Sequence, residues 1–182
     1  MARTATLTML LVMAASAAIP ADVGTTQSNV PLTSDEVAVY RAFLESYAKG
    51  SPGSVNLGNR TTPLELSESD TKNCLRGIRL KGQSGRARTV HTLDSSIIAG
   101  TKTVLVDAEH QRAVVEANDP GNTIRKGKTV TDAVGAAFAL GLLIVSEITF
   151  DANHRCAVMA FGFVCGALCG HGAVLVFQEG WR

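Results

Sequence analysis

The sequence is short of most features that announce a function. Aromatic residues fill only 5% of its 182 positions, with a single tryptophan, and charged residues only 18%. The charges nearly cancel, at a formal +1, and no basic run or stripe occurs, which argues against a nucleic-acid partner. Low charge does not mean disorder here, because a hydrophobic content of 46% fits one globular domain with a real core. H-E-x-x-H and H-x-x-x-H are both absent, so His91, His110, His154 and His171 do not form the common zinc-hydrolase helix. There is no G-x-S-x-G elbow of the serine-hydrolase kind. G-x-G-x-x-G and G-x-x-x-x-G-K-[ST] are also missing, and around Gly127-Lys128-Thr129 the preceding glycine stands at the wrong distance. Nucleotide binding therefore has no support, and no cofactor is expected.

Long apolar runs are scarce too. Leu7 to Ile19 is too short and too interrupted for a permanent membrane helix. With Arg3 before it and small-residue sites at Ala15-Ser16-Ala17 and Ile19-Pro20-Ala21, it reads as a secretory signal peptide over residues 1–21. The stretch Val134 to Val145 is broken by Gly135 and Gly141 and reads as a buried helix running into a strand. The expected product is exported, periplasmic or secreted, with no stable membrane span after signal cleavage. Residues 22–32 form a flexible leader, and 33–182 a single domain.

What is there converges on the C-terminal end, around Val164-Cys165-Gly166-Ala167-Leu168-Cys169-Gly170-His171-Gly172. Arg155 to Val164 before this turn and Ala173 to Phe177 after it are rich in β-branched and aromatic residues, the signature of hairpin strands. Leu143 to Phe150 reads as a third strand, joined through the tight-turn residues Asp151 to Asn153. The glycines argue against a helix at the turn. With a three-residue loop, Cys165 and Cys169 become the closing pair of the hairpin. Opposed strand Cβ atoms lie ~4.5–5.5 Å apart and a disulfide wants ~3.5–4.5 Å, so a bulge or local twist has to bring them together. Three readings compete: a structural disulfide, a metal site of Cys165, Cys169 and His171, and a redox or nucleophilic cysteine. Zinc motifs need a further ligand pair that is not evident, and C-x3-C is not the thioredoxin-like C-x-x-C. Four cysteines in an exported chain suggest two disulfides. The preferred pairing is Cys165–Cys169 with Cys74–Cys156, one of three that four cysteines allow.

Upstream, Thr33-Ser34-Asp35-Glu36 is a capping-box signature. Val37, Tyr40, Phe43, Leu44 and Tyr47 follow at helical spacing, and Gly50 and Pro52 stop the helix, which is placed over 34–49. Residues 54–57, 74–80 and 103–106 read as short strands. Asp107 caps a helix over roughly 108–117, and Thr129 or Thr131 caps another across Asp132 to Leu140. Asn118 to Gly121 reads as a turn. The fold expected is α+β, with a mainly antiparallel sheet ending in a three-stranded meander packed against the N-terminal helix. Burying Val158, Phe161 or Phe163, Leu175 and Phe177 would contribute ~1.5–3 kcal/mol each.

The strand Ser146-Glu147-Ile148 through Phe150-Asp151, the pair Ala157-Val158, the turn Cys165 to Gly172 and the ending Gly180-Trp181-Arg182 together resemble the C-terminal portion of uncharacterised exported bacterial proteins. Those carry an S-x-[IV]-x-F-[DN] strand, an A-[LV]-V strand, a C-G-x-L-C-G-x-G turn and a closing G-x-W-K. The resemblance covers about a quarter of the chain. It implies export, a bacterial source, a disulfide hairpin and a few further strand residues after Arg182, and it assigns no catalytic residue. The resulting expectation is a non-enzymatic domain that binds an unknown ligand or protein partner. The alternative is an exported enzyme or metal-binding protein using Cys165, Cys169 and His171.

Overall fold

The computed structural model describes residues 26–27, 30–51, 53–66, 89–167 and 169–178. The expected signal peptide, Cys74 with its strand 74–80, and Trp181 lie outside them. So does the expected Cys74–Cys156 bond, because one of its partners does.

Helix α1 spans Ser34–Lys49, and its capping box forms as the sequence predicts. The Glu36 backbone N–H donates to the Thr33 hydroxyl, and the Thr33 N–H donates to the Glu36 carboxylate at 2.7 Å. Its apolar face buries Val39, Tyr40, Phe43, Leu44 and Ala48. A one-turn helix α2, Ser95–Ile98, packs beside it and buries Ile97; the Arg41 guanidinium donates to the Ser96 carbonyl.

The strands are β1 (Thr26–Gln27), β2 (Val55–Gly58), β3 (Thr89–Val90), β4 (Thr103–Val106), β5 (Leu142–Val145), β6 (Thr149–Phe150), β7 (Cys156–Gly166) and β8 (Cys169–Gln178). Strands β4, β2, β5 and β7 run side by side in that order; β8 flanks β7 on its far side, and β6 continues the line of β5 along β7. The expected mainly antiparallel sheet is in fact mixed. β2 pairs in parallel with both β4 and β5, and only the half built on β7 is antiparallel. Alternating residues could not reveal this, because a strand's partner is set by the path of the intervening chain. Three helices occupy the path from β4 to β5: α3 (Ala108–Ala117), α4 (Pro120–Arg125) and α5 (Val130–Leu140). Their caps are Asp107, Asp119 and Thr129. The expected turn at Asn118 to Gly121 is therefore also a helix start, with Pro120 in the first helical turn, where its missing N–H costs nothing. Thr26–Gln27, inside the expected leader, pairs in parallel with Thr89–Val90.

The meander is present with one modification. Its first strand is interrupted at Ser146 to Ile148: Val145 pairs with Phe161 and Thr149 with Val158, so one extra residue is inserted. The Ser146 hydroxyl closes the gap by accepting the Ala160 N–H at 2.8 Å, while the Ser146 N–H donates to the Ala160 carbonyl. This is bulge chemistry carried out by a side chain.

The two faces of the sheet are both covered. One carries Leu57, Leu143, Val145, Met159, Phe161, Phe163 and Phe177 against α1. Both phenylalanines, not one of them, join this core. Val158 is fully buried but belongs to the opposite face, since alternation along β7 separates it from Phe161. On that opposite face α3 starts close above β2: a Cβ on Gly58 would lie 3.1 Å from that of Ala108. Helix α5 lies across the end of the sheet. The Asn56 amide donates to the carbonyls of Ala139 and Gly141, and Gln111 of α3 donates to that of Leu140, so the helix's orphan carbonyls are satisfied.

Candidate functional site

The hairpin tip forms a Cys165–Cys169 disulfide, with Cα atoms 5.0 Å apart. The register shows how the gap is closed. Val164 pairs with Gly170 and Gly166 with Cys169, so Cys165 is the extra residue of a bulge. The loop proper is therefore shorter than the three residues expected. Gly166 adopts a φ of +143°, which favours glycine, and a Cβ there would lie 2.6 Å from Pro120. The tip is also docked from outside. The Ala167 N–H donates to the Asp119 carboxylate at 2.7 Å, and this bond is the main cause that holds the Asp119 carboxyl below its ordinary range. One carboxylate thus caps α4 and anchors the hairpin. With both sulfurs bonded to each other, the turn holds no thiolate for a metal or a nucleophilic step. Among the described residues no group of three His, Cys, Asp or Glu side chains is arranged to hold a metal ion.

His171 is not at the tip. It stands opposite Phe163 on β8, exposed, two rungs along the hairpin from the bonded cysteines. Its ring stacks on Tyr47 at 6.1 Å and meets Phe161 edge-on at 5.7 Å. The Tyr47 hydroxyl lies 3.3 Å from His171 Nε2. Phe163 lies 5.4 Å from His171 on one side and stacks on Phe138 of α5 at 5.8 Å on the other. The rings Phe138, Phe163, His171 and Tyr47 therefore form a row from α5 across the hairpin to α1, joined by Phe161 and Phe43 beneath. Phe138 is 52% exposed, so the row surfaces at its α5 end as well as at His171. The helical spacing of Tyr47 identifies it as a core residue, but nothing in the sequence couples it to His171, which lies 124 residues away.

A second constellation joins residues that no sequence motif links. Glu147, at the interruption of the meander's first strand, accepts at Oε2 from His91 Nδ1 at 2.8 Å and at Oε1 from the His91 backbone N–H at 2.9 Å. The Thr61 hydroxyl donates to the same Oε1. Thr61 is 4% exposed, and its backbone N–H donates to the His91 carbonyl. Ser146 is equally buried, and its carbonyl accepts from the Tyr40 hydroxyl at 2.8 Å. Four distant segments meet here. The carboxylate fixes the orientation of the imidazole, with Nδ1 as its donor. Thr61 has already donated its hydroxyl to Glu147 and is buried, so the cluster acts as a clamp between segments. Asn59-Arg60-Thr61, which has the N-x-[ST] pattern of a glycosylation acceptor, lies in this packed stretch, and the Asn59 side-chain oxygen is itself buried. Of the remaining histidines, His110 is exposed on α3, and His154 sits in a turn with positive φ and stacks on Phe150.

Both tyrosines titrate late. Burial pushes the Tyr47 phenol up to about 12. Burial, followed by the carboxylates of Glu147 and Glu36, raises Tyr40 well above its usual value. An unfolded tyrosine loses its proton near pH ~10, whereas the folded protein keeps both protons to higher pH. The contribution of Tyr47 is complete below about pH 10 and is lost as pH rises toward about 12, and that of Tyr40 is lost in the same direction. Urea midpoints should fall steeply across that window, and Tyr47→Phe should flatten part of the fall. A midpoint that stays level from pH 9 to about 12 would contradict the buried, hydrogen-bonded phenols.

Compared with known proteins, the chain matches no family model, no curated protein and no solved structure.

Proposed function

We propose that the protein is an exported bacterial binding domain without enzymatic chemistry, which holds a ligand or protein partner against the aromatic row on its disulfide-pinned hairpin. The observation that carries this reading is the row itself. Phe138 at its α5 end and His171 within it are exposed, while Phe163 between these two is locked in the core. Rigid rings bind at low entropic cost because few rotors must be frozen. The Cys165–Cys169 bond supports export, since such bonds persist mainly in oxidising compartments. The competing reading, an enzyme or metal protein that uses Cys165, Cys169 and His171, requires the bond to open.

Intact mass with thiol labelling separates the two. Protein collected outside the cytosol is expected to leave Cys165 and Cys169 unlabelled until a reductant is added, and to carry no metal in native mass spectrometry. Labelling of either cysteine without reductant, or a bound metal lost in His171→Ala, would replace the binding-domain reading with the metal or thiol one.

A further inference from the structure

Strand β8 is the edge of the sheet on the hairpin side: among the described residues it pairs only with β7. Its ten residues, Cys169 to Gln178, contain no charge and no proline. Soluble proteins usually protect such an edge with lysine, proline, an inward charge or a very short strand, because its outward N–H and C=O groups form a template for another strand. The opposite edge, β4, is only four residues long. A long, uncharged edge carried on ten rungs of pairing is therefore unusual and calls for an occupant.

The side chains of β8 indicate which one. Apart from His171 its first half is small, with Gly170, Gly172 and Ala173, and its second half is large, with Leu175, Val176 and Phe177. A strand whose halves differ in this way is complementary to itself when reversed. We propose that two copies of this chain pair antiparallel through β8, about a twofold axis at Val174, to make one continuous sheet. Opposed residues of an antiparallel pair share a face. In this register Ala173 stands opposite Leu175 of the other copy, Gly172 opposite Val176, and Gly170 opposite Gln178, so small meets large at these three rungs. His171 comes opposite Phe177, whose ring is buried in the core of its own copy. The absence of charge means that no like charges meet across the axis. A register centred one residue earlier would draw Cys169, which is committed to the bulged tip, into the ladder. The Val174 register leaves the tip outside. Twofold self-pairing is the commonest closed symmetry, and it uses up the edge without leaving another.

The test rests on the axis, where each side chain faces its own copy. Light scattering on the full chain under non-reducing conditions should give twice the chain mass. Val174→Lys and Val174→Glu should each be monomeric, because like charges are then directly opposed. Mixed one to one, they should recover the double mass. A monomeric parent at ~100 µM would overturn the proposal, as would a Val174→Lys variant that still dimerises or a mixture that stays monomeric. Hydrogen exchange on the parent needs no variant to fold. Protection of the β8 amides should fall on dilution, at least tenfold between the dimeric and monomeric ranges, and protection independent of concentration would count against the pairing.

Discussion

Glu147→Ala is expected to lower the unfolding free energy by about 3 kcal/mol. The carboxylate takes the Thr61 hydroxyl, the His91 N–H and the His91 imidazole, and alanine offers none of them an acceptor. A buried donor left unpaired costs ~1–3 kcal/mol, and three donors lose their acceptor at once. The Glu147 side chain is 17% exposed, so water recovers part of the loss. Glu147→Gln keeps an acceptor and should cost about 1 kcal/mol. Removing the charge should also lower the pKa of Tyr40, which Glu147 helps to raise, and tyrosinate absorbance on titration reads this directly. If urea melts place Glu147→Ala within about 0.5 kcal/mol of the parent, the cluster is not a clamp.

Phe163→Ala should cost ~3–5 kcal/mol, the range for truncating a buried ring. Phe163 is only 7% exposed, lies in ring contact with Phe138 and His171, and covers Gly141. That last fit is testable through its partner. A Cβ on Gly141 would lie 2.2 Å from the tip of the Phe163 ring. Gly141→Ala in the parent must therefore displace the ring, at roughly 1–3 kcal/mol. In the Phe163→Ala background the added methyl group enters the space the ring has left, and the same substitution should be neutral or stabilising. The double-mutant cycle should show a coupling on the order of 1–2 kcal/mol. Additive losses would mean that Gly141 is not required by Phe163.

The functional consequence of these two sites differs. The Phe163 fit supports the aromatic row, so its loss should weaken any contact made there. The Glu147 clamp lies apart from that row and supports the domain as a whole. Stability measurements on both, read beside binding, separate a residue that holds the fold from one that presents a surface.

Local features were legible in the order of residues. Thr33 and Glu36 set the start of α1 by bonding each other's backbone. Asp107 and Thr129 cap α3 and α5 in the same region of the helix, because a cap needs only a side-chain oxygen and two or three following residues. The hairpin was legible because β7 and β8 adjoin in sequence, and the disulfide because its cysteines close that short loop. The remaining features were settled by packing in three dimensions. Whether β2 would pair with β4 and β5, and in which direction, depended on how three helices return the chain. The partnership of Glu147 with His91 and Thr61 joins residues 56 and 86 positions apart. The approach of Tyr47 to His171 spans 124. No periodicity encodes such meetings, since each is fixed by the packing of separate elements onto one sheet rather than by the preferences of neighbouring residues.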